Sequence, residues 1–384
     1  MSMVSSTPSG DYNYWGADRV YYYQSHYPDF YSTGTFRSLD KLHQPPKKRS
    51  MEPCACIMST LFVILIILLV LCIVFFFSFG SIFGPSLDDQ KSHRLFGKSA
   101  ATHHVRDHTL SVTPEWVDAM LRIGDPRLCL FDTALFAANY STDHIPGSLH
   151  FDINLVTNNS DTQRNTPAHP LIVEEYLQAK GLDTDCHVVL YNHHQHHLSL
   201  MAATFAYWLL KVYGFRKVSV MRDGLPGWKA RNLTVTNDTS LLSWKRGSGD
   251  FKATWNQQQI ATLNDVRSNF ITGKYLLIDS RPKAYLDGKA KSKWSKESGK
   301  IKGALNIPYT ELLDEHGSLK HDADLRRMLL SYGITGERPI IVYCETGFSA
   351  SLMYYVLSKA NVSVKLYNGS WVEWSHRAAE KYME

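Results

Sequence analysis

The chain has 384 residues, 44% of them hydrophobic and 20% charged, an ordinary globular composition with room for about two domains. Its net charge of +5 is too mild to call for nucleic acid, and no nucleic-acid partner is expected. The 6 cysteines (Cys54, Cys56, Cys72, Cys129, Cys186 and Cys344) show no CxxC pair and no metal-ligand spacing, so neither a zinc site nor a disulfide framework is indicated, and no metal or cofactor is expected.

Residues 1–56 come first. Residues 1–46 are rich in tyrosine, serine, glycine and proline, as in DYNYWGADRVYYYQSHYPDFY, without apolar periodicity, and 1–56 is expected to be a disordered tail. Its tyrosines are candidate phosphorylation or docking sites, against the plainer alternative of a solvated tail. Cys54 and Cys56 are candidates for S-palmitoylation or simply free thiols. From Ile57 to Phe79 no charged residue occurs. At ~1.5 Å per residue this run is long enough to cross a ~30 Å hydrocarbon core, so a transmembrane helix in contact with lipid is expected over 57–79. A secretory signal peptide carries a shorter apolar stretch nearer the start, so the run reads as an uncleaved signal anchor. Lys47, Lys48 and Arg49 precede it, and Asp88 and Asp89 follow. That places the N-terminus in the cytoplasm and the remainder on the lumenal or extracellular side. N-x-S/T triplets at Asn139, Asn158, Asn232, Asn237, Asn361 and Asn368 agree with that side and point to a glycoprotein. Lys91, Arg94 and Lys98 keep the reverse orientation open. A linker over 80–107 follows.

Beyond it the chain repeats itself at a period of about 150 residues, which means duplicated domains, not a solenoid. The first half reads LCLFDTALFAANYSTDHIPGSLHFDI, HVVLYNHHQHHLSLMAATFAYWLLKVYGF and KVSVMRDGLPGW. The second reads YLLIDSRPKAYLDGK, SGKIKGALNIPYTELL, PIIVYCETGFSASLMYYVLSKAN and VSVKLYNGSWVEW. Short apolar β-rich runs alternate with helical stretches, the pattern of a parallel sheet covered by helices. The fold class is therefore α/β, with one such domain over 108–232, a second over 256–384, and a polar connection over 233–255. Gly147 and Gly303 supply matching turns. Thr113 is a candidate N-cap, and Gly214 closes the helix of SLMAATFAYWLLKVYG.

In the second half Tyr343 ends the apolar strand PIIVY, and a helix begins within SASLMYYVL. Between them runs Cys344-Glu345-Thr346-Gly347-Phe348-Ser349. A strand-to-helix turn at the C-terminal edge of a parallel sheet is where ligands bind in open α/β folds. The loop amides and the helix N-terminus favour negative charge there, and with it the thiolate form of Cys344. Two chemistries use such a cradle. Phosphoester hydrolysis through a phosphocysteine calls for C-x5-R, but Ala350 stands at that position and no arginine occurs in the loop. Sulfur transfer through a cysteine persulfide needs no arginine there, so the spacing favours it. A buried structural cysteine is the bland alternative.

YSTDHIPGSLHF, LIDSR, VYCETGFSAS and YNGSWVEW together resemble the tandem-rhodanese sulfurtransferases, the thiosulfate and 3-mercaptopyruvate sulfurtransferases, over about 108–384. The resemblance implies two α/β domains of one fold, only the second with a nucleophile. Asn192 stands where Cys344 stands and cannot carry sulfur. His193, His194, His196 and His197 beside it read as a polar loop in preference to a metal site. In the mercaptopyruvate branch a serine two residues after the cysteine is proposed to work with a histidine and an aspartate of the first domain. The matching positions are Thr346, His144 and Asp132, as a relay or as residues that only hold the first domain's own loops.

The sequence departs from the family in three places. Glu345 replaces the usual arginine or glycine, and a carboxylate beside a thiolate opposes it and repels anionic donors. Thiosulfate, a dianion, is therefore disfavoured relative to a 3-mercaptopyruvate-like donor. Where the family sets a donor-holding arginine after the D-S-R motif, this chain has Lys283 or Ala284. Arg281 of that motif is retained and is chiefly structural or substrate-facing. Asn368 replaces a common acidic residue and lies in a sequon that a packed turn would obstruct. The expected function is transfer of a sulfane sulfur from a small-molecule donor to a thiol acceptor. Cys344 is the nucleophile, with Glu345, Thr346, Gly347, Phe348, Ser349, Arg281 and Lys283 around the substrate. The alternative is a membrane-tethered binding module. Reverting Glu345 to glycine or arginine is the natural test of the two.

Overall fold

The computed structural model describes residues 110–244 and 247–384. The tail, membrane span and linker expected over 1–107 lie outside the described residues, and among the described residues no helix is long and apolar enough to cross a membrane.

In the first half β1 (Ser111–Val112), α1 (Pro114–Ile123), β2 (Leu128–Asp132), α2 (Ala137–Thr142) and β3 (Leu149–His150) come in turn. A small hairpin follows, β4 (Thr157–Asn158) with β5 (Thr166–Pro167), then α3 (Pro170–Ala179), β6 (His187–Tyr191), α4 (His197–Val212), β7 (Val218–Met221) and α5 (Gly224–Ala230). The second half gives β8 (Ile260–Ala261), α6 (Leu263–Thr272), β9 (Leu276–Asp279), α7 (Lys283–Leu286) and β10 (Leu305–Asn306). It ends with α8 (Asp322–Ser331), β11 (Ile340–Tyr343), α9 (Ala350–Lys359), β12 (Val364–Tyr367) and α10 (Ser370–Arg377).

Local chemistry sets these boundaries. Thr113 caps α1, its hydroxyl accepting from the Trp116 amide with Pro114 next in line. Thr262 and Asp265 form a reciprocal capping box on α6. Gly147 and Gly303 take φ of +82° and +76°, the left-handed turn expected at matching places in the two halves.

Each half builds one five-stranded, all-parallel sheet. With the separate β4–β5 hairpin left out of the count, the orders β1-β7-β6-β2-β3 and β8-β12-β11-β9-β10 are the same in the two halves. The central strands β6 and β11 are covered on both faces, hence their unbroken apolar runs VVL and IIV. Their register sets Tyr191 opposite Asp132 and Tyr343 opposite Asp279 at the C-terminal edge.

Helix α4 is apolar all round because it is clasped between its own sheet and α9 of the other half. Thr204 and Ser351 share a hydrogen bond of 2.9 Å across that contact, and the Tyr207 and Tyr355 rings meet edge-on at 5.1 Å. One hydrophobic cluster runs from Phe131 in the first sheet to Leu366 in the second. The connection over 233–255 is less free than its polar sequence suggests. Thr236 bridges to His144, the Trp244 indole donates to the Gly147 carbonyl, and Phe251 is buried against the first half.

Candidate active site

Cys344 follows β11 directly and is 1% exposed. The β12–α10 turn grips its backbone. The Cys344 amide donates to the Ser370 hydroxyl (3.2 Å), the Trp371 amide donates to the Cys344 carbonyl (3.0 Å), and the Val372 amide to the Glu345 carbonyl (3.1 Å). Ser370 adopts φ +55° to do so, a conformation that costs a non-glycine residue free energy. The end motif YNGSW is thus the clamp that fixes the cysteine, a role its sequence alone did not disclose. Among the described residues, no amide from Glu345 to Ser349 donates to a protein group. With α9 starting at Ala350, these free donors and the helix dipole favour an anion beside Cys344.

Gly347 holds φ +84°, and a Cβ there would stand 2.5 Å from Asn368 Nδ2 and 3.1 Å from the Asn368 carbonyl oxygen. The loop therefore lies tightly on the turn. Asn368 is 6% exposed and its Nδ2 has no partner. Phe348 points to the first half, its ring 5.4 Å from that of Phe205. Ser349 precedes α9 without making a side-chain cap.

Glu345 does not face the site alone. Its Oε2 accepts from Arg281 Nη1 at 3.2 Å, while Oε1 is buried without a partner. Arg281 is 2% exposed. Its Nη2 donates to Asp279 (2.7 Å) and to the Gly299 carbonyl (2.6 Å), and its guanidinium sits 4.9 Å from the Trp371 ring centre. Burial opposes its charge, but Asp279 beside it more than offsets that, so the guanidinium holds its proton more tightly than usual. An arginine engaged on so many sides positions Glu345 and β9; it is not free to clamp a donor. Lys283 opens α7 with its side chain exposed, and among the described residues it forms no ion pair.

The first half reaches the loop through residues the sequence did not single out. Asn165 Nδ2 approaches Thr346 Oγ1 at 3.4 Å, and Gln163 Nε2 donates to Glu373 at 2.8 Å. Arg164 between them lies over the Trp294 ring at 5.2 Å, with Lys293 Nζ also 5.2 Å from that ring centre. The segment carrying Trp294 is held on α10, since Lys296 donates through its amide to Ser375 and the Trp371 indole donates to the Glu297 carbonyl. Nothing in the spacing of TQRNTP marks these residues; only the crossover from β3 to α3 brings them to the other half's sheet edge.

His144 and Asp132 lie elsewhere. Among the described residues, no hydrogen bond or ion pair joins either of them to Cys344 or Thr346. His144 stacks on Tyr140 and pairs through Nδ1 with the Tyr140 carbonyl (2.9 Å). The Asp132 carboxylate accepts from the Ala134 amide and pairs with His193 Nδ1, both at 2.8 Å. His193 is buried and its Nε2 stands 3.6 Å from Asp143, which is ion-paired with Lys229. The histidine run is therefore not uniformly a polar loop: its first member is a core group. No cluster of metal-holding side chains occurs among the described residues. Asn192 replaces the thiol, and the Leu225 amide donates to its carbonyl at 2.9 Å, as Trp371 does to Cys344.

A fold of two like sheets, one with a thiol in an amide-lined loop and one without, agrees with comparison to known proteins. The family model for the rhodanese-like domain matches residues 113–231 and 262–377, and the chain belongs to that family. The 3-mercaptopyruvate sulfurtransferase of Escherichia coli is 30% identical over 267 residues, 67% of this chain and 92% of its own length. The thiosulfate sulfurtransferase of Bos taurus is 28% identical, over 70% of this chain and 92% of its own. The crystal structure of SseA from Escherichia coli, a 3-mercaptopyruvate sulfotransferase of the rhodanese fold, superposes with a TM-score of 0.59 at 28% identity. It covers 68% of this chain and 99% of its own. The relatives' shared activity is sulfur transfer.

Proposed function

We propose that this protein moves a sulfur atom from a small anionic donor, 3-mercaptopyruvate-like in preference to thiosulfate, to a thiol acceptor, carrying it as sulfane sulfur in a persulfide on Cys344. The observation that carries the reading is the free-amide loop around Cys344 with no arginine at its end. The Cys344 thiolate attacks the donor sulfur, and the donor's bond to that sulfur breaks, its electron pair leaving with the carbon fragment, which takes a proton. The outer sulfur of the resulting persulfide is then attacked by the acceptor thiolate, and Cys344 leaves as thiolate. The loop amides stabilise negative charge in both states.

With Arg281 engaged by Asp279, the donor's anionic end falls to cations that have no acidic partner among the described residues. Arg164 and Lys293 over Trp294 are the pair we assign to it, and Lys283 is a further candidate. Thr346, two residues after the thiol, is the hydroxyl we assign to the substrate side. The full chain given the donor should gain one sulfur on Cys344, read as a mass increase, and Cys344→Ser should gain none. Absence of a persulfide with 3-mercaptopyruvate and with any sulfane donor would sink this reading. Arg164→Ala should raise KM several-fold for 3-mercaptopyruvate with little change in kcat.

A second reading is a binding module without catalysis, favoured by the deep burial of Cys344 and by Glu345 beside it. It requires Cys344→Ser to leave partner binding intact. We further propose, from the sequence, a single membrane span over 57–79 with the rhodanese domains lumenal or extracellular. A glycosidase-induced gel shift on the full chain tests that orientation.

A further inference from the structure

Cys129 lies in β2, and Cys186 in the turn just ahead of β6. The fold brings their side chains together in the first half's core, 57 residues apart in sequence and 2.6 Å apart between sulfurs. They are 1% and 3% exposed. Strand register accounts for the meeting. Cys129 is the register partner of Val188, two residues beyond Cys186, so the two side chains fall diagonally on one face. The turn closes with the Cys186 amide on the Asp183 carbonyl (3.2 Å), and the Asp183 amide stands 3.4 Å from the Cys186 sulfur. Both are free thiols in this structure, and joining them, at about 2.05 Å between sulfurs, needs only a small further approach. Neither cysteine takes part in the chemistry at Cys344, which lies in the other half.

We propose that Cys129 and Cys186 form an intramolecular disulfide that ties β2 to the turn before β6. The oxidant is a disulfide, either oxidised glutathione or a disulfide-carrying oxidoreductase. One cysteine thiolate attacks a sulfur of that disulfide, forming a mixed disulfide and releasing one oxidant thiol. The other cysteine then attacks the mixed disulfide, the Cys129–Cys186 bond forms, and the second oxidant thiol leaves. The two cysteines give up two electrons and two protons, and the oxidant takes them. Burial confines the step to folding or to transient separation of β2 from the turn before β6. The bond stabilises by restricting the unfolded chain. It belongs to an oxidising compartment, which is the side of the membrane proposed above for these domains.

The test is to hold the full chain with excess oxidised glutathione in urea just below its unfolding transition, then trap free thiols with N-ethylmaleimide in denaturant and digest without reductant. The expected product is a peptide pair joined through Cys129 and Cys186, two hydrogens lighter than its parts, as the main form of both. Reductant should then lower the thermal midpoint by several degrees, and should not move that of Cys129→Ala/Cys186→Ala. Maleimide on both cysteines, glutathione retained on either, or linkage of either to another cysteine overturns the proposal. If the double variant fails to fold, the peptide measurement decides alone.

Discussion

Arg281 shows how one side chain can be bound too well to serve the substrate. Its removal would leave Asp279, which is fully buried, as an unpaired charge. Arg281→Gln should therefore destabilise the fold by about 3 kcal/mol, read from denaturant midpoints. Glu345 takes its meaning from that arginine. Glu345→Arg, one of the two natural reversions, would set a second cation against Arg281 and should lose stability and activity together. Glu345→Gly only frees Arg281 Nη1 and should keep the fold while lowering KM for an anionic donor, measured beside an uncharged persulfide donor as control. Acid sensitivity has a residue-scale source as well. Burial pushes the Asp143 carboxyl up, but the Lys229 hydrogen bond and charge prevail and hold it below the usual range. Folding thus stabilises the ionised form. That contribution is complete above the ordinary aspartate value and is lost as pH falls below about 4 through the depressed folded value. Asp143→Asn should flatten the fall of melting temperature across that acid range.

At the scale of elements, the loop from Cys344 to Ser349 is defined by what presses on it. Gly347→Ala would need a strained φ and displacement of the Asn368 backbone. It should cut persulfide formation at least about tenfold, with far-UV circular dichroism unchanged. Much of this was legible in the sequence. The caps at Thr113 and Gly214, the paired turns at Gly147 and Gly303, and the strand-loop-helix around Cys344 all depend on neighbours along the chain. What depends on register and packing was not legible. Asn165 meets Thr346 across 181 residues of sequence. Ser370 reaches back to the Cys344 amide, and Asp132 pairs with His193 where the sequence suggested His144. Periodicity gives a helix its face, and it does not say which residue of another sheet edge will face it.

At the scale of the molecule, the two halves share one hydrophobic cluster through α4 and α9. Residues 108–384 should unfold in a single calorimetric transition, and either half alone should fail to give a cooperative one. Phe205→Ala, in the half without the nucleophile, should cost about 4 kcal/mol and lower activity as well, since its ring meets Phe348 of the loop. Asn368 carries a consequence of another kind. Its side chain is sealed beneath Gly347, yet it heads a sequon. In a compartment where asparagine-linked sugar is added, this site sets up a race: a chain that closes the Asn368 turn first is spared, and a chain modified first cannot close it. The speed at which the C-terminal β–α unit seals would then set the yield of competent protein, before any sulfur is moved.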